Sequence, residues 1–121
     1  MRMPVGRDTL IPFIDVENDL GAFVKALIDA PAGQHVLGSS ETLSLARWLD
    51  LVTSHIGKDI RFEQIPLEAY TSQDPIGLLT EVAEQVMFIQ DFGYTGGDSD
   101  VVSVEGVCCS PAVRGDGLAD W

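Results

Sequence analysis

Hydrophobic positions along the chain follow two spacings, one typical of strands and one typical of helices. Short β-prone or alternating stretches lie at 11–14, 34–37, 60–65 and 101–107, as expected of strands with one buried face. Between them, longer stretches place apolar residues at i, i+3, i+4 and i+7, the spacing of an amphipathic helix. The order predicts a βα, βα, βα alternation with a final strand, so the fold class is α/β or α+β.

The first predicted helix begins among acidic residues and ends before a proline and a glycine. Asp15 occupies the expected N-cap position, and Glu17 and Asp19 would place negative charge in the first turn, where the helix dipole favours it. Pro31 and Gly33 stop the helix. One helical face, the kind that a surface helix turns towards the core, is formed by Leu20, Phe23, Val24 and Leu27.

The second and third predicted helices have clear start and stop signals. The second begins after Ser44 as N-cap and ends at Gly57. A short helical turn is expected at 66–70, and the third helix then begins with Asp74 as N-cap and Pro75 as its first residue. The third helix ends at Gly93, and its apolar face consists of Ile76, Leu79, Val82, Val86 and Ile89.

Charge and composition narrow the classes of partner. The 121 residues include 19 Asp and Glu against 7 Lys and Arg, for a net charge of −12. Because the few cations are scattered along the chain, a phosphate backbone or an anionic lipid surface would repel it. No apolar run approaches the roughly 20 residues that span a bilayer, and the N-terminal residues lack the apolar stretch of a signal peptide. We expect a cytoplasmic protein that binds neither nucleic acid nor membrane.

Motifs for catalysis, dinucleotide binding and metal binding are missing from the sequence. There is no G-x-G-x-x-G, and the clustered glycines near residue 95 follow a helix rather than a strand. There is also no Tyr-x-x-x-Lys and no nucleophile elbow. His35, His55 and the adjacent Cys108 and Cys109 lack the spacing of metal ligands. The sequence therefore predicts no catalytic residue, no cofactor-binding residue and no metal site in this chain.

Aromatic residues gather around the end of the third predicted helix. Phe88, Phe92 and Tyr94 lie there, and Tyr70 lies in the segment before that helix. Such residues pack in a core or line a ligand cleft. Their spacing alone does not decide between the two.

Four segments together resemble the NmrA-like family, which comprises atypical relatives of the short-chain dehydrogenases/reductases. The resemblance covers about residues 8 to 100 in order. The segments are P-F-I-D-V-E-N-D-L-G at 12–21, the Leu43-Ser44 start of a helix that ends in I-G-K at 56–58, I-P-L-E-A-Y at 65–70, and F-G-Y-T-G-G at 92–97. The acidic first segment is shared by many extended dehydrogenase relatives, and its combination with F-G-Y-x-G-G is more specific.

The resemblance implies a two-lobed protein of which this chain is one part. Residues 1–100 correspond to the smaller C-terminal, substrate-binding lobe, and 101–121 to a strand and a tail. The Rossmann lobe, which binds NAD(P) in full-length members, is missing. The family includes NADPH-dependent reductases, many of them in secondary-metabolite pathways, and redox-sensing regulators that bind the dinucleotide without turning it over.

Individual residues take their expected roles from the same resemblance. Asp15 and Asp19 match acids at a helix start and are expected to be structural caps. Tyr70, Phe92 and Tyr94 match aromatic residues that could face the substrate cleft. We therefore predict these three as substrate-binding residues.

Three hypotheses about function remain open at this stage. The chain is a truncated NmrA-like oxidoreductase that needs a nucleotide lobe from elsewhere, a non-catalytic interaction or redox-sensor-like regulatory module, or a gene-model fragment without independent function. In the first two, the surface left by the missing lobe would be exposed and apolar. We expect a second copy or a partner chain to cover that surface, and a small-molecule ligand to occupy the cleft.

Overall fold

Short strands alternate with helices along the computed structural model, which describes residues 1–72, 74 and 76–103. In chain order the elements of these residues are β1 (Arg2–Met3), β2 (Leu10–Phe13), α1 (Leu20–Asp29), β3 (His35–Leu37), β4 (Glu41–Ser44), α2 (Leu45–Ile56), β5 (Glu63–Gln64), α3 (Leu67–Thr71), α4 (Leu78–Phe92) and β6 (Val101–Ser103). The mixture of helices and strands agrees with the predicted α/β class.

The strands form three separate pairs within the described residues. β1 pairs with β5 in parallel, and β3 pairs with β6 in parallel with His35 opposite Val101. β2 pairs with β4. An exposed ion pair between Arg2 and Glu63, with Nε and Oε2 2.8 Å apart, joins the first pair of strands. The pairs are small, and two strands on their own are at best marginally stable in water.

The described residues form two compact units. The first comprises Met1–Ile11 and Leu43–Gly97, and the second comprises Pro12–Thr42 together with residues 98–103. The core of the first unit consists of buried Val5, Leu45 and Val86, against which Met1, Met3, Ile11, Phe62 and Met87 pack. In the second unit Phe23 is buried, and its ring lies against the backbone of Gly38. The predicted division into 1–100 and 101–121 stays a prediction.

The start of α1 differs from the prediction. Asp15 does not cap this helix, because its carboxylate closes the preceding turn by accepting from the amides of Glu17 and Asn18 at 3.0 and 3.2 Å. Asp19 takes the N-cap position, but its side chain accepts from the Ser40 hydroxyl and not from a helix amide. No acidic residue lies in the first turn of α1. The sequence shows that Asp15 and Asp19 lie near the start of a helix. It does not show which hydrogen-bond donors their carboxylates contact in the folded chain.

The boundaries of α2 are confirmed. The Ser44 hydroxyl accepts from the Arg47 amide at 3.2 Å, and Gly57 ends the helix in the left-handed conformation with φ 70°. Both signals act within one turn of the helix end. That range explains why the sequence was sufficient to place this helix.

The start of α4 lies later than predicted. The helix begins at Leu78, after Gly77, so Asp74 is not its N-cap residue. Asp74 nevertheless serves the first turn from outside, since its Oδ2 accepts from the Thr80 amide at 2.7 Å and from the Thr80 hydroxyl at 2.9 Å. Ile76, predicted to lie on the apolar face, precedes the helix and is 81% exposed. Pro75 lies outside the described residues.

Two further predictions of strands need correction. Of the expected strand at 60–65, only Glu63 and Gln64 are extended and paired, while β1 and β4 were not expected. The expected strand at 101–107 is present as Val101–Ser103, and its remainder lies outside the described residues, as do Cys108 and Cys109. Two-residue strands leave almost no periodicity in a sequence, because period two needs several residues to be visible.

The helical turn expected at 66–70 is present as α3. Among the described helices, none combines the length and the apolar character that crossing a bilayer requires.

Candidate binding site

An aromatic patch lies at the C-terminal end of α4 in the first unit. Phe88 and Phe92 are one helical turn apart, with ring centroids separated by 5.1 Å and ring planes tilted by 39°. The two side chains are 48% and 62% exposed. The opposite side of α4 is the buried one and carries Ala83, Val86 and Ile89. Packing of this buried side into the core therefore leaves the two rings at the surface.

The turn after α4 folds back onto the patch. Gly93 ends the helix by donating its amide to the Ile89 carbonyl at 2.9 Å, and the Gly96 amide donates to the Gly93 carbonyl at 3.1 Å. Gly96 has φ +64°, and a Cβ there would lie 3.0 Å from Cζ of Phe88. The F-G-Y-T-G-G segment thus has a structural role, because only a glycine at position 96 combines this backbone conformation with such a close approach of the Phe88 ring.

The three predicted substrate-binding residues lie in the first unit but in different settings. Phe92 belongs to the aromatic patch through its contact with Phe88. Tyr94 follows in the turn and is 50% exposed. Tyr70 is half-buried on α3, a helix that packs against α4. Their role in substrate binding stays a prediction.

Phe88 was named among the clustered aromatic residues but was not predicted as a site residue. The structure makes it the centre of the patch, since it contacts both Phe92 and the backbone at Gly96. The i, i+4 spacing of the two phenylalanines was a signal that could have identified it. We define the aromatic patch as Phe88, Phe92 and Tyr94.

The chemistry of the patch suits binding more than catalysis. Two phenyl rings offer faces and edges for apolar or planar groups, and Tyr94 adds a hydroxyl that can donate or accept a hydrogen bond. The three side chains include no carboxylate, imidazole, thiol or amine. The patch can therefore hold a ligand but does not by itself supply a general acid or base.

The amides at two helix N-termini are occupied by the protein itself. At the start of α2, the Leu45 amide donates to the Thr9 carbonyl at 3.0 Å and the Ala46 amide to the Arg7 carbonyl at 2.9 Å, while Ser44 caps the next amide. At the start of α4, the Asp74 carboxylate holds the Thr80 amide. A pyrophosphate binds at a helix N-terminus through free amides. At the N-termini of α2 and α4, these amides already have acceptors within the protein and are not free to bind a pyrophosphate.

Electrostatics at the start of α4 reinforce this conclusion. Desolvation raises the pKa of Asp74, but hydrogen bonds from the amide and hydroxyl of Thr80 and from the amides of Leu79 and Gly77 outweigh it. The pKa of Asp74 therefore lies below its ordinary value, and the group is charged at neutral pH. A carboxylate at this position repels a phosphate group.

A second carboxylate is held in its charged form before α1. The Asn18 side-chain amide donates to Oδ2 of Asp15 at 2.6 Å, and this bond is the main cause that lowers the pKa of Asp15. Desolvation, the second largest influence, raises the pKa, and the backbone amides of Asn18 and Glu17 lower it further. Asp15 thus stabilises its own turn and is not held in a protonated, proton-donating form.

The described residues contain no cluster of side chains suited to bind a metal ion. Within them, no three His, Cys, Asp or Glu side chains are grouped so that they could hold an ion. His35 is exposed on β3, and His55 is exposed in the last turn of α2. The two histidines lie in different units.

Comparison with known proteins places the chain in a family. A family model described as the NmrA-like family matches residues 1–113, which extends beyond the four resembling segments at both ends. No curated protein and no solved structure matches this chain. Because the family match includes all but the last eight residues, the chain belongs to the NmrA-like family.

Proposed function

We propose that this chain is the substrate- or partner-binding part of an NmrA-like oxidoreductase and that the NAD(P) of the reaction is held by another polypeptide segment. The observation that carries the proposal is the aromatic patch, which exposes apolar ring surface at a turn built by the F-G-Y-T-G-G segment. The ligand expected there is a neutral, planar or apolar molecule. Association with a secondary-metabolite pathway, and the cytoplasm as compartment, follow from the resemblance and the sequence and stay predictions.

The absence of a dinucleotide motif supports the part of the proposal that assigns NAD(P) binding to another polypeptide segment. The sequence contains no G-x-G-x-x-G, and the amides that begin α2 and α4 are bound by Thr9, Arg7, Ser44 and Asp74. A dinucleotide would have to displace these contacts and approach a charged Asp74. We therefore expect no dinucleotide binding by this chain alone.

A second candidate is a non-catalytic interaction module of the regulatory type. The observation in its favour is that the aromatic patch contains no carboxylate, imidazole, thiol or amine, the groups that most often act as general acid or base. In this alternative the same rings contact a partner protein, for which exposed aromatic side chains are well suited.

Titration with NADPH tests the first half of the proposal. Calorimetry and NADPH fluorescence should detect no binding by the isolated chain up to about 1 mM cofactor, a concentration that reveals binding free energies of about −4 kcal/mol or more favourable. Saturable binding in this concentration range would contradict the proposal, because the chain would then have a dinucleotide site of its own.

Nuclear magnetic resonance tests the second half. Addition of 2-naphthol, a neutral aromatic probe that the net charge of −12 does not repel, should shift the amide signals of Gly93, Gly96 and Gly97 first. Phe92→Ala should weaken this binding about 2- to 10-fold, since one aromatic contact contributes about 0.5–1.5 kcal/mol. Ile76→Ala, which removes another exposed apolar side chain of the same unit, is the matched control and should leave it unchanged. Equal effects of both variants would overturn the assignment to the patch.

A further inference from the structure

All the methionines of the chain pack against the buried core of the first unit. Two of them come from the segment that contains β1, and one comes from α4. The three are Met1, Met3 and Met87. Each is partly buried, so its side chain contacts the core and keeps some exposure to solvent. We call these three residues the core methionines.

The second unit contains no methionine, because the sequence has only three. A reagent that acts on thioethers therefore acts on the first unit alone. Methionine side chains are flexible and fill irregular gaps in a core. At this core they also carry the one apolar group whose polarity a mild oxidant can change.

Hydrogen bonds hold the segment 1–6 at two sides. On the side of β5, the Met3 carbonyl accepts from the Ile65 amide at 3.0 Å. On the side of α4, the Gly6 amide donates to Oε1 of Gln90 at 2.6 Å. A pair of two-residue strands is at best marginally stable alone. Attachment of this segment therefore also depends on how well its apolar side chains pack on the core.

Oxidation turns a methionine from an apolar residue into a polar one. A peroxide transfers one oxygen atom to the sulfur: the O–O bond breaks, an S–O bond forms, the sulfur is oxidised by two electrons, and hydrogen peroxide leaves as water. The core side chains of Val5, Leu45 and Val86 have no donor for the sulfoxide oxygen. A polar group that is buried without a partner destabilises the state in which it is buried.

We propose that the core methionines form a redox-sensitive switch in the first unit. As thioethers they hold the segment 1–6 on the core, and as sulfoxides they favour a state in which this segment is released from β5 and α4. Methionine sulfoxide reductases return the thioether; two thiols are oxidised to a disulfide and the oxygen leaves as water, so the switch is reversible. The proposal does not depend on the ligand assigned to the aromatic patch.

Treatment of the full chain with hydrogen peroxide tests the proposal. The variant Cys108→Ser/Cys109→Ser is used throughout, so that no thiol reacts. Mass spectrometry should find one added oxygen on each methionine. The oxidised chain should melt about 5–15 °C lower, and the amide signals of Met3, Gly6 and Ile65 should change in magnetic resonance spectra. Methionines that resist oxidation in the folded chain, or sulfoxides that leave the melting temperature and these signals unchanged, overturn the proposal.

Substitutions locate the effect in the core. Leucine is close to methionine in volume and forms no sulfoxide, so Met3→Leu/Met87→Leu should lose most of the decrease in melting temperature that peroxide causes. The matched control adds Ile76→Met to this double variant, which places a thioether at an exposed site of the same unit. Oxidation there should leave the melting temperature unchanged. A double variant that is destabilised by peroxide as much as the parent overturns the location.

Reversal separates a switch from damage. Incubation of the oxidised chain with the reductases for both sulfoxide epimers and a dithiol should restore the melting temperature and the amide signals of the segment 1–6. A melting temperature that stays low after mass spectrometry shows the sulfoxides to be reduced overturns the switch.

Discussion

The turn after α4 offers a pair of glycines that isolates one contact of the aromatic patch. Gly96 and Gly97 have φ of +64° and +75°, so an alanine at either position adopts a backbone conformation that L residues disfavour. They differ in their surroundings. A Cβ at Gly96 would lie 3.0 Å from the Phe88 ring, while a Cβ at Gly97 would meet nothing within 4 Å. The comparison of Gly96→Ala with Gly97→Ala therefore measures the ring contact with the strain subtracted.

The expected magnitudes follow from these two terms. The left-handed conformation costs an alanine about 1–2 kcal/mol, and the reduced freedom of the unfolded chain returns about 0.4–1 kcal/mol. Gly97→Ala should thus lower the free energy of unfolding by about 0–1.6 kcal/mol. Gly96→Ala should cost the same and about 0.5–1.5 kcal/mol more, because Phe88 must move and its tilted contact with Phe92 is disturbed.

Urea denaturation and a double-mutant cycle test this reasoning. The additional cost of Gly96→Ala should disappear when Phe88 is already alanine, since no ring is then left to displace. Binding of 2-naphthol should weaken in Gly96→Ala and be retained in Gly97→Ala. Equal free energies of unfolding for the two single variants, or an additional cost that persists without the Phe88 ring, would refute the contact between the turn and the patch.

Three further predictions concern the helices. Ser44→Ala should lower the free energy of unfolding by about 1 kcal/mol in urea denaturation, since it removes the N-cap of α2, whereas Ser54→Ala in the same helix should change it by less than about 0.5 kcal/mol. Phe23→Ala should cost about 3–5 kcal/mol and Val24→Ala less than about 0.5 kcal/mol; similar losses in the two would show that α1 is turned differently. Because the pKa of Asp74 is lowered in the folded state, its contribution is present above the unfolded value of about 3.9 and is lost as the pH falls through the folded pKa. Asp74→Asn should therefore be less stable than the unchanged chain at pH 7, with the difference vanishing near pH 2; a difference that grows in acid would contradict the sign.

Local signals in the sequence were sufficient for some helix boundaries and insufficient for others. Ser44 and Gly57 identify the ends of α2 because an N-cap hydroxyl and a left-handed glycine act on amides and carbonyls of the adjacent turn. Asp15 and Asp74 look equally suitable as caps. The first closes a turn of its own, and the second reaches the Thr80 amide six residues away.

The aromatic patch shows the same division between local and distant causes. The i, i+4 spacing of Phe88 and Phe92 already places both rings on one side of a helix. It does not say whether that side faces the core or the solvent. The answer comes from Val86, which packs with Val5 and Leu45 from distant parts of the chain and turns the opposite side outward.

The sequence by itself determined the family, the alternation of strands and helices, and the ends of α2, because these depend on residue order and on contacts within a turn. Tertiary structure decided which faces are covered. Leu20, Val24 and Leu27 share with Phe23 the apolar spacing of a core-facing stripe, yet of these four residues only Phe23 is buried. Periodicity reports that a face can be buried, whereas burial itself requires a second surface, and that surface is contributed by residues far away in the sequence or by another chain.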